Sequence, residues 1–356
     1  MKIPVEDLQI GDRTGSDVFN WNGLLVVSAH TVLNEDDIEK LQRHQIDYVD
    51  IMIRYNGQAG QSQPAAAPAS VAVAGKQVIA QTEAYQEAVD GIKQLFEQIQ
   101  ISGAIHEDDV QQCFAPLANQ CEQEHDVVSL LLTLNNKDDY TYQHSVQVGM
   151  ISYYIAKWLG QTESDALLAG KAGYLHDIGK SKIDNAILQK PAKLTEEEFS
   201  EVKRHTHYGY EMIKACGFNE ALALAALQHH ERLDGSGYPL QLKGTEIHPM
   251  AKIVAVADIY SAMISQRIYQ EKQDLLYVLK ELHRMSFGML DAQITQVFIR
   301  NMLPNFIGKK ALLTSGEVGI IILTHPTDFF NPLVQVDDHF INLAERPDLE
   351  IQEIYM

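Results

Sequence analysis

The chain has 356 residues and a mass of 40.0 kDa, more than one hydrophobic core usually organises, so two or three compact units are expected. Hydrophobic residues make up 46% and charged residues 21%, which excludes wholesale disorder, collagen-like repeats and a coiled-coil rod. With 28 Lys and Arg against 48 Asp and Glu the net charge is −20, and such a surface repels DNA, RNA and anionic membrane, so an anionic ligand needs a local pocket.

Residues 1–56 alternate short apolar runs with turn signals. Leu24-Leu25-Val26-Val27 follows Asn22-Gly23, Asp36 to His44 has helical spacing, and Tyr48-Val49-Asp50-Ile51-Met52-Ile53 closes the segment as a strand. A small N-terminal α/β accessory domain is predicted. Residues 57–75, GQAGQSQPAAAPASVAVAG, can bury almost nothing and read as a flexible linker. Between Lys76 and Pro304 the apolar spacing turns helical: Tyr85, Val89, Ile92 and Phe96 recur at three and four residues, as do Val146, Met150, Tyr153 and Tyr154. This predicts a helical connector over 76–136 and a helical body over 137–304. Within the body, Glu196-Glu197-Glu198 reads as an acidic first turn at a helix N-terminus, and Met285, Met289, Met302, Phe287 and Phe298 read as core. Residues 305–356 carry β-rich runs, Val318 to Leu323 and Leu333 to Val336, separated by turn residues. The fold class is mainly α, with a C-terminal β extension.

No run approaches the ~20 apolar residues of a membrane span, and MKIPVEDLQI lacks the basic-then-apolar order of a signal peptide. A cytoplasmic protein is expected. Cys113, Cys121 and Cys216 are odd in number and have no C-x-x-C spacing, so buried reduced thiols are expected.

Five of the 14 histidines stand in a pattern: His144, His176 followed by Asp177, His205, and the doublet His229-His230, with Asp258 further on in VAVADIY. Imidazole and carboxylate together suit iron, manganese or zinc, and no nearby Cys points to a sulfur-bound site. Asp177 follows a long apolar run, and Asp258 is embedded between Ile253-Val254-Ala255-Val256-Ala257 and Ile259-Tyr260. A carboxylate in such a place is costly unless something positive neutralises it. A metal would do so; for Asp258 a salt bridge to Lys252 or Arg267 is the structural alternative.

The order His144, His176-Asp177-Ile178-Gly179-Lys180, His205, His229-His230-Glu231, Asp234-Gly235-Ser236-Gly237-Tyr238-Pro239 and Asp258 resembles the HD-GYP family, a branch of the HD-domain metal-dependent phosphohydrolases. The likeness runs from about Asp139 to Met302, and both flanking pieces resemble companions of that family. It implies an all-helical HD-GYP body over 137–304, with a C-terminal β-hairpin extension over 305–356. It also implies hydrolysis of a cyclic dinucleotide, cyclic di-GMP before others, to pGpG and/or GMP, by attack of a metal-bridging hydroxide. Carried over by motif, His144, His176, Asp177, His205, His229, His230 and Asp258 are ligands of two divalent metal ions, with Asp177 bridging. Iron is expected first, with manganese or another first-row metal as alternatives. Lys180, three residues after Asp177 and so on the same helical face, is expected with Asp177 in catalysis. Lys180, Arg267 of the R-x-Y motif and Tyr238 are expected to contact substrate. A diguanylate cyclase domain docking on the GYP loop, and a homodimer, are the expected protein partners.

The sequence also departs from the family pattern. Tyr140 stands where a minority of members carry a third-metal Glu, which keeps the expected count at two. Ser261 takes the second position of the usual D-x-x-D, Thr206 and Ile268 replace prolines, and Gln270 replaces a frequent basic residue. These changes put activity or substrate preference in question, so a non-hydrolysing cyclic dinucleotide sensor and a phosphodiesterase preferring hybrid cyclic GMP-AMP stand as alternatives. His207, two residues after His205, reads as surface, and His125, His248 and His283 have no motif context.

Overall fold

The structure is a computed structural model that describes residues 2–5, 8–9, 12–14, 18–19, 25–27, 31, 33–43, 46, 48–51, 69–123, 140–190, 192–268, 275–325 and 328–355, the side chains of 2–4, 19, 25–26, 35–36, 39, 42, 48, 50, 69–82, 122–123, 140 and 265–268 excepted. The backbone forms two compact units, Met1–Pro68 and Ala69–Met356.

In the first unit β1 (Lys2–Pro4) pairs antiparallel with β4 (Tyr48–Asp50), placing Ile3 opposite Val49, and β2 (Val18–Phe19) pairs with β3 (Leu25–Val27). Helix α1 (Glu35–Arg43) starts where Asn34 and Asp37 exchange side-chain to backbone hydrogen bonds of 2.9 and 3.2 Å, satisfying donors that the first turn leaves open. Val5, Val18, Val27, Leu33, Leu41 and Ile51 meet in its small core. This is the α/β module expected; Leu24, Met52 and Ile53 lie outside the described residues.

The second unit opens with α2 (Ala69–Ser102), which begins inside the stretch read as linker. Residues 57–68 lie outside the described part; from Ala69 the run ASVAVAGK is alanine-rich enough to extend the following helix backwards. Tyr85, Val89, Ile92 and Phe96 are all buried, as their spacing predicts. Helix α3 (Glu107–Gln123) follows with three acidic residues in its first turn. The connector joins one core with the body: the Tyr174 hydroxyl donates to Ala88 O at 2.6 Å, and Phe96 and Tyr142 meet edge to face at 5.3 Å.

The body itself runs through α4 (Tyr140–Trp158), α5 (Glu163–Leu175), a 3-10 turn (Ile178–Lys182), α6 (Asn185–Leu188), α7 (Glu196–Lys203), α8 (His205–Ala215), α9 (Glu220–Gln228), α10 (Pro249–Ile268), α11 (Leu275–Met285) and α12 (Ala292–Met302). Its helix starts follow side-chain caps. Thr162 accepts from Asp165 N–H, Asn219 from Ala221 N–H and Asp291 from Gln293 N–H, while Thr195 and Glu198 form a reciprocal capping box. The acidic run 196–198 is therefore the first turn that was predicted.

After α12 the C-terminal segment folds as five antiparallel strands, β5 (Lys310–Leu313), β6 (Val318–Leu323), β7 (Leu333–Val336), β8 (His339–Asn342) and β9 (Ile351–Tyr355), in the order β8-β7-β6-β5-β9. The extension is thus larger than a hairpin, because the last strand returns to pair with the first. Met302 and Phe298 are core as expected, whereas Phe287 is 76% exposed and Met285 and Met289 are half-buried. Phe287 lies in the turn after α11, outside the helical repeat that suggested burial. Cys121 is buried, but Cys113 and Cys216 are only partly so. No helix among the described residues is long and apolar enough to cross a membrane.

Candidate metal centre

The local chain path explains how consecutive residues reach one point. Helix α5 ends at Leu175 with His176 still right-handed helical, and Asp177 leaves the helix at φ −98°, ψ 6°. On a continuing helix, adjacent side chains would diverge by about 100°. The same device serves the doublet: α9 ends at Gln228, and His229 and His230 occupy the turn that follows. His205 opens α8 immediately after Arg204, which ends α7. Helix α4 supplies His144 and α10 supplies Asp258.

These five segments bring all seven expected side chains together. His144, His176 and Asp258 form one group, His176, Asp177 and His229 a second, and His205, His229 and His230 a third, the ligand atoms of each lying within 4.8 Å of one another. His176 Nε2 is 3.2 Å from Asp177 Oδ2, His205 Nε2 is 3.3 Å from Asp177 Oδ1, and His230 Nδ1 is 3.5 Å from Asp258 Oδ2. Asp177 faces three rings, which suits the shared position that the motif assigns it.

The outward nitrogens are fixed by acceptors. His176 Nδ1 donates to Gly173 O at 2.6 Å, His205 Nδ1 to Val202 O at 2.6 Å and His229 Nδ1 to Ala226 O at 2.9 Å. Each bond leaves Nε2 as the lone-pair atom facing inward, the tautomer a metal ligand needs. His144 follows the same rule through a side chain. The Ser261 hydroxyl donates to Gln147 Oε1 at 2.9 Å and so accepts from His144 Nδ1 at 3.0 Å, turning Nε2 toward Asp258 Oδ1 at 3.0 Å. That leaves a lone pair facing a carboxylate, which only a shared proton or a cation stabilises. Ser261 thus fills the position of the missing carboxylate with a neutral hydrogen-bond chain. Gln147, three residues after His144 on the same helical face, carries no motif of its own in the sequence.

Electrostatics favour the binding forms of both carboxylates and of His205, His229 and His230, whereas Asp177 outweighs burial and raises His176. Burial pushes the Asp177 carboxyl up, but the His176 ring and the Lys180 ammonium outweigh it and hold it well below the usual carboxylate range. Asp258 is likewise held low against burial by the hydrogen bond with His144 and by His230. Burial drives His205 down to about 4 and His230 to about 3, and pushes His229 well below the usual imidazole range. Neutral imidazoles and ionised carboxylates are the forms that bind divalent ions. His176 Nε2 and Asp177 Oδ1 are fully buried with no hydrogen-bond partner. Buried polar atoms rarely stay unsatisfied, and these two ligand atoms without partners suit cation binding.

Lys180 sits on the 3-10 turn rather than on an α-helix, yet three-residue spacing also superposes side chains there, and its ammonium pairs with Asp177. Gly179 permits this turn: a Cβ there would lie 2.0 Å from His205 O. Lys252 does not neutralise Asp258, since it pairs with Asp291 at 3.6 Å. Arg267 lies in α10, but its side chain, like those of Tyr140, Ile268 and Gln270, is outside the described residues. His207 is exposed, as expected.

The GYP loop is clamped onto this centre. The buried Glu231 carboxylate accepts from Leu240 N–H at 2.6 Å and Leu242 N–H at 3.0 Å, and Tyr238 N–H donates to His230 O at 3.2 Å. A Cβ on Gly237 would meet three backbone atoms of residues 230–232 at 2.5 Å. The Tyr238 ring then rests 4.6 Å from the His230 ring, and burial raises its hydroxyl above the ordinary tyrosine value, so it stays protonated.

A helical body with an HD dyad at a helix end and a polar cluster of this kind defines an HD domain, and the HD domain family model matches residues 129–294. The order of its motifs resembles the HD-GYP branch of that family. It is 35% identical over 207 residues to a cyclic di-GMP phosphodiesterase of Pseudomonas aeruginosa, covering 58% of this chain and 50% of that one. It is also 35% identical over 185 residues to the 3'3'-cGAMP-specific phosphodiesterase 1 of Vibrio cholerae, covering 49% of this chain and 42% of the relative. The chain therefore spans about half the length of these relatives. An HDG"Y"P protein from Bdellovibrio bacteriovorus shares the fold, with a TM-score of 0.50, 16% identity and coverage of 84% of this chain and 97% of that one.

Proposed function

We propose that the chain is a metal-dependent phosphodiesterase that hydrolyses a bacterial cyclic dinucleotide, cyclic di-GMP first, to pGpG or GMP. The observation that carries this reading is the convergence of five imidazoles and two carboxylates from five segments on one buried point. His144, His176, Asp177, His205, His229, His230 and Asp258 would hold two divalent ions, iron before manganese, with Asp177 shared between them. Such ions supply Lewis acidity toward the phosphoryl oxygens and lower the pKa of water. Two carboxylates against two divalent charges leave the site positive, which attracts a phosphate even on a protein of net charge −20.

The chain's own groups do the rest. Lys180, 24% exposed beside buried Asp177, places an ammonium at the mouth of the centre where a scissile phosphate oxygen lies. Tyr238, protonated and packed on His230, offers a hydrogen bond to substrate. Arg267 adds a planar fork suited to phosphate or a guanine edge. Turnover rather than mere sensing is supported by the Ser261–Gln147 chain, which keeps His144 oriented without the usual second carboxylate. A preference for hybrid cyclic GMP-AMP is the second reading, supported by the likeness to the Vibrio cholerae enzyme named for that nucleotide.

Anaerobic incubation of iron- or manganese-loaded protein with each cyclic dinucleotide, followed by chromatography, tests the proposal. A linear product is expected. Intact ligand recovered under every metal would contradict it, and tight binding without product would favour a sensor.

A further inference from the structure

Helix α7 and the GYP loop face each other across a cleft of about 530 Å³, lined among others by Phe199, Lys203, His207, Tyr238 and Pro239. That volume lies within the range of small-molecule sites, roughly 300–1,000 Å³. Phe199 is 46% exposed there, the one aromatic on the polar helix EEEFSEVK. The Lys203 ammonium sits 4.6 Å from the centre of the Phe199 ring and 5.6 Å from that of Tyr238, and the two rings meet at a steep angle with 6.4 Å between centroids. Since Tyr238 also touches the His230 ring, the aromatic wall is continuous with the metal centre.

Charge at this cleft runs against the net charge of the chain. Glu198 is committed to Lys190 and to Thr195 N–H, and Glu201 pairs with Arg204 at 2.9 Å. Arg204 also lines the cleft, but with it paired to Glu201 the cation that lies over the aromatic wall is Lys203. A cyclic dinucleotide has two bases and two phosphates, and the metal centre with Lys180 accounts for one phosphate only. Beyond the fork that Arg267 offers, the other half of the molecule is served by a stacking face and a further positive charge within a nucleotide's reach.

Resting on the phosphodiesterase reading above, we propose that this cleft is a second nucleotide subsite, in which one base stacks on the Phe199–Tyr238 wall while Lys203 faces the phosphate that is not cleaved. Phe199 and Lys203 then act on substrate binding and not on the metals. Base stacking on an aromatic side chain is sequence-tolerant, so the subsite accepts guanine or adenine.

The test compares Phe199→Ala, Lys203→Met and Lys203→Arg with wild type, all as metal-loaded full chains, on cyclic di-GMP, hybrid cyclic GMP-AMP and the small diester bis(p-nitrophenyl) phosphate. Phe199→Ala and Lys203→Met are expected to raise KM for the turned-over dinucleotide by about tenfold or more, with kcat little changed and the small diester cleaved as by wild type. Lys203→Arg keeps the charge and is expected to recover most of the loss. Unchanged KM, or equal loss on dinucleotide and small diester, would overturn the subsite. Failure of the phosphodiesterase reading shows earlier and differently: the wild type itself would leave both dinucleotides intact, and the subsite would fall with it.

Discussion

An imidazole packed among other imidazoles stays buried at low cost only while neutral. His205 and His230 titrate near 4 and 3 in the fold against about 6.5 when free, so between those values the unfolded chain binds more protons than the folded one. Stability therefore rises with pH in that window. The contribution is fully present above pH 6.5 and is lost as pH falls toward 4; urea unfolding of metal-free protein at pH 7.5, 6 and 5 should give decreasing midpoints, and a flat series would contradict the buried neutral cluster. The Ser261 hydroxyl works through His144. Its loss in Ser261→Ala removes the acceptor for Nδ1, and partners of this kind are worth roughly 10- to 100-fold in metal affinity. Competition with a chromogenic chelator should show a drop of about tenfold with the fold intact, while Ser261→Asp should bind metal at least as well as wild type. Asp177 and Asp258 were legible in the sequence because a carboxylate in an apolar run demands a cation. Gln147 and Phe199 were not, since a polar residue on a core helix and an aromatic on an acidic one carry no pattern of their own.

Elements position these residues mostly by stopping. The HD pair and the His doublet both sit just past a helix end, where neighbouring side chains can share a direction that a continuing helix forbids. Helical periodicity located α5 and α9, but it says nothing of the dihedral angles at their ends, so the convergence of adjacent residues had to come from the structure. The GYP loop shows the same dependence on a distant group: Glu231 holds two backbone N–H groups nine and eleven residues on. Glu231→Ala leaves both without that acceptor, each costing about 1 kcal/mol, and urea denaturation should show a lower midpoint with KM for dinucleotide raised. A wild-type midpoint would show that the loop needs no clamp. Gly237→Ala forces a methyl group against residues 230–232 and should displace the loop, costing about 1–3 kcal/mol. The C-terminal strands were readable one by one, from Val318 to Leu323 and Leu333 to Val336. Their assembly was not, because β9 pairs with β5 across a long sequence separation.

Across the whole molecule, the negative surface and a metal-loaded centre would divide the work. A charge of −20 disfavours nucleic acids as a class, while two bound divalent ions would make one pocket selective for a compact anion. Raising the salt concentration should therefore change the KM of a dinucleotide modestly, because the attraction is local and partly shielded from solvent. The central claim is that seven side chains, distant in sequence, hold a pair of transition-metal ions. Elemental analysis of protein purified anaerobically without added metal, in parallel with Asp177→Asn, tests it most directly. The account predicts about two equivalents of iron or manganese in the wild type and fewer than one in the variant; a wild type that carries no first-row metal and takes none up on reconstitution would contradict it.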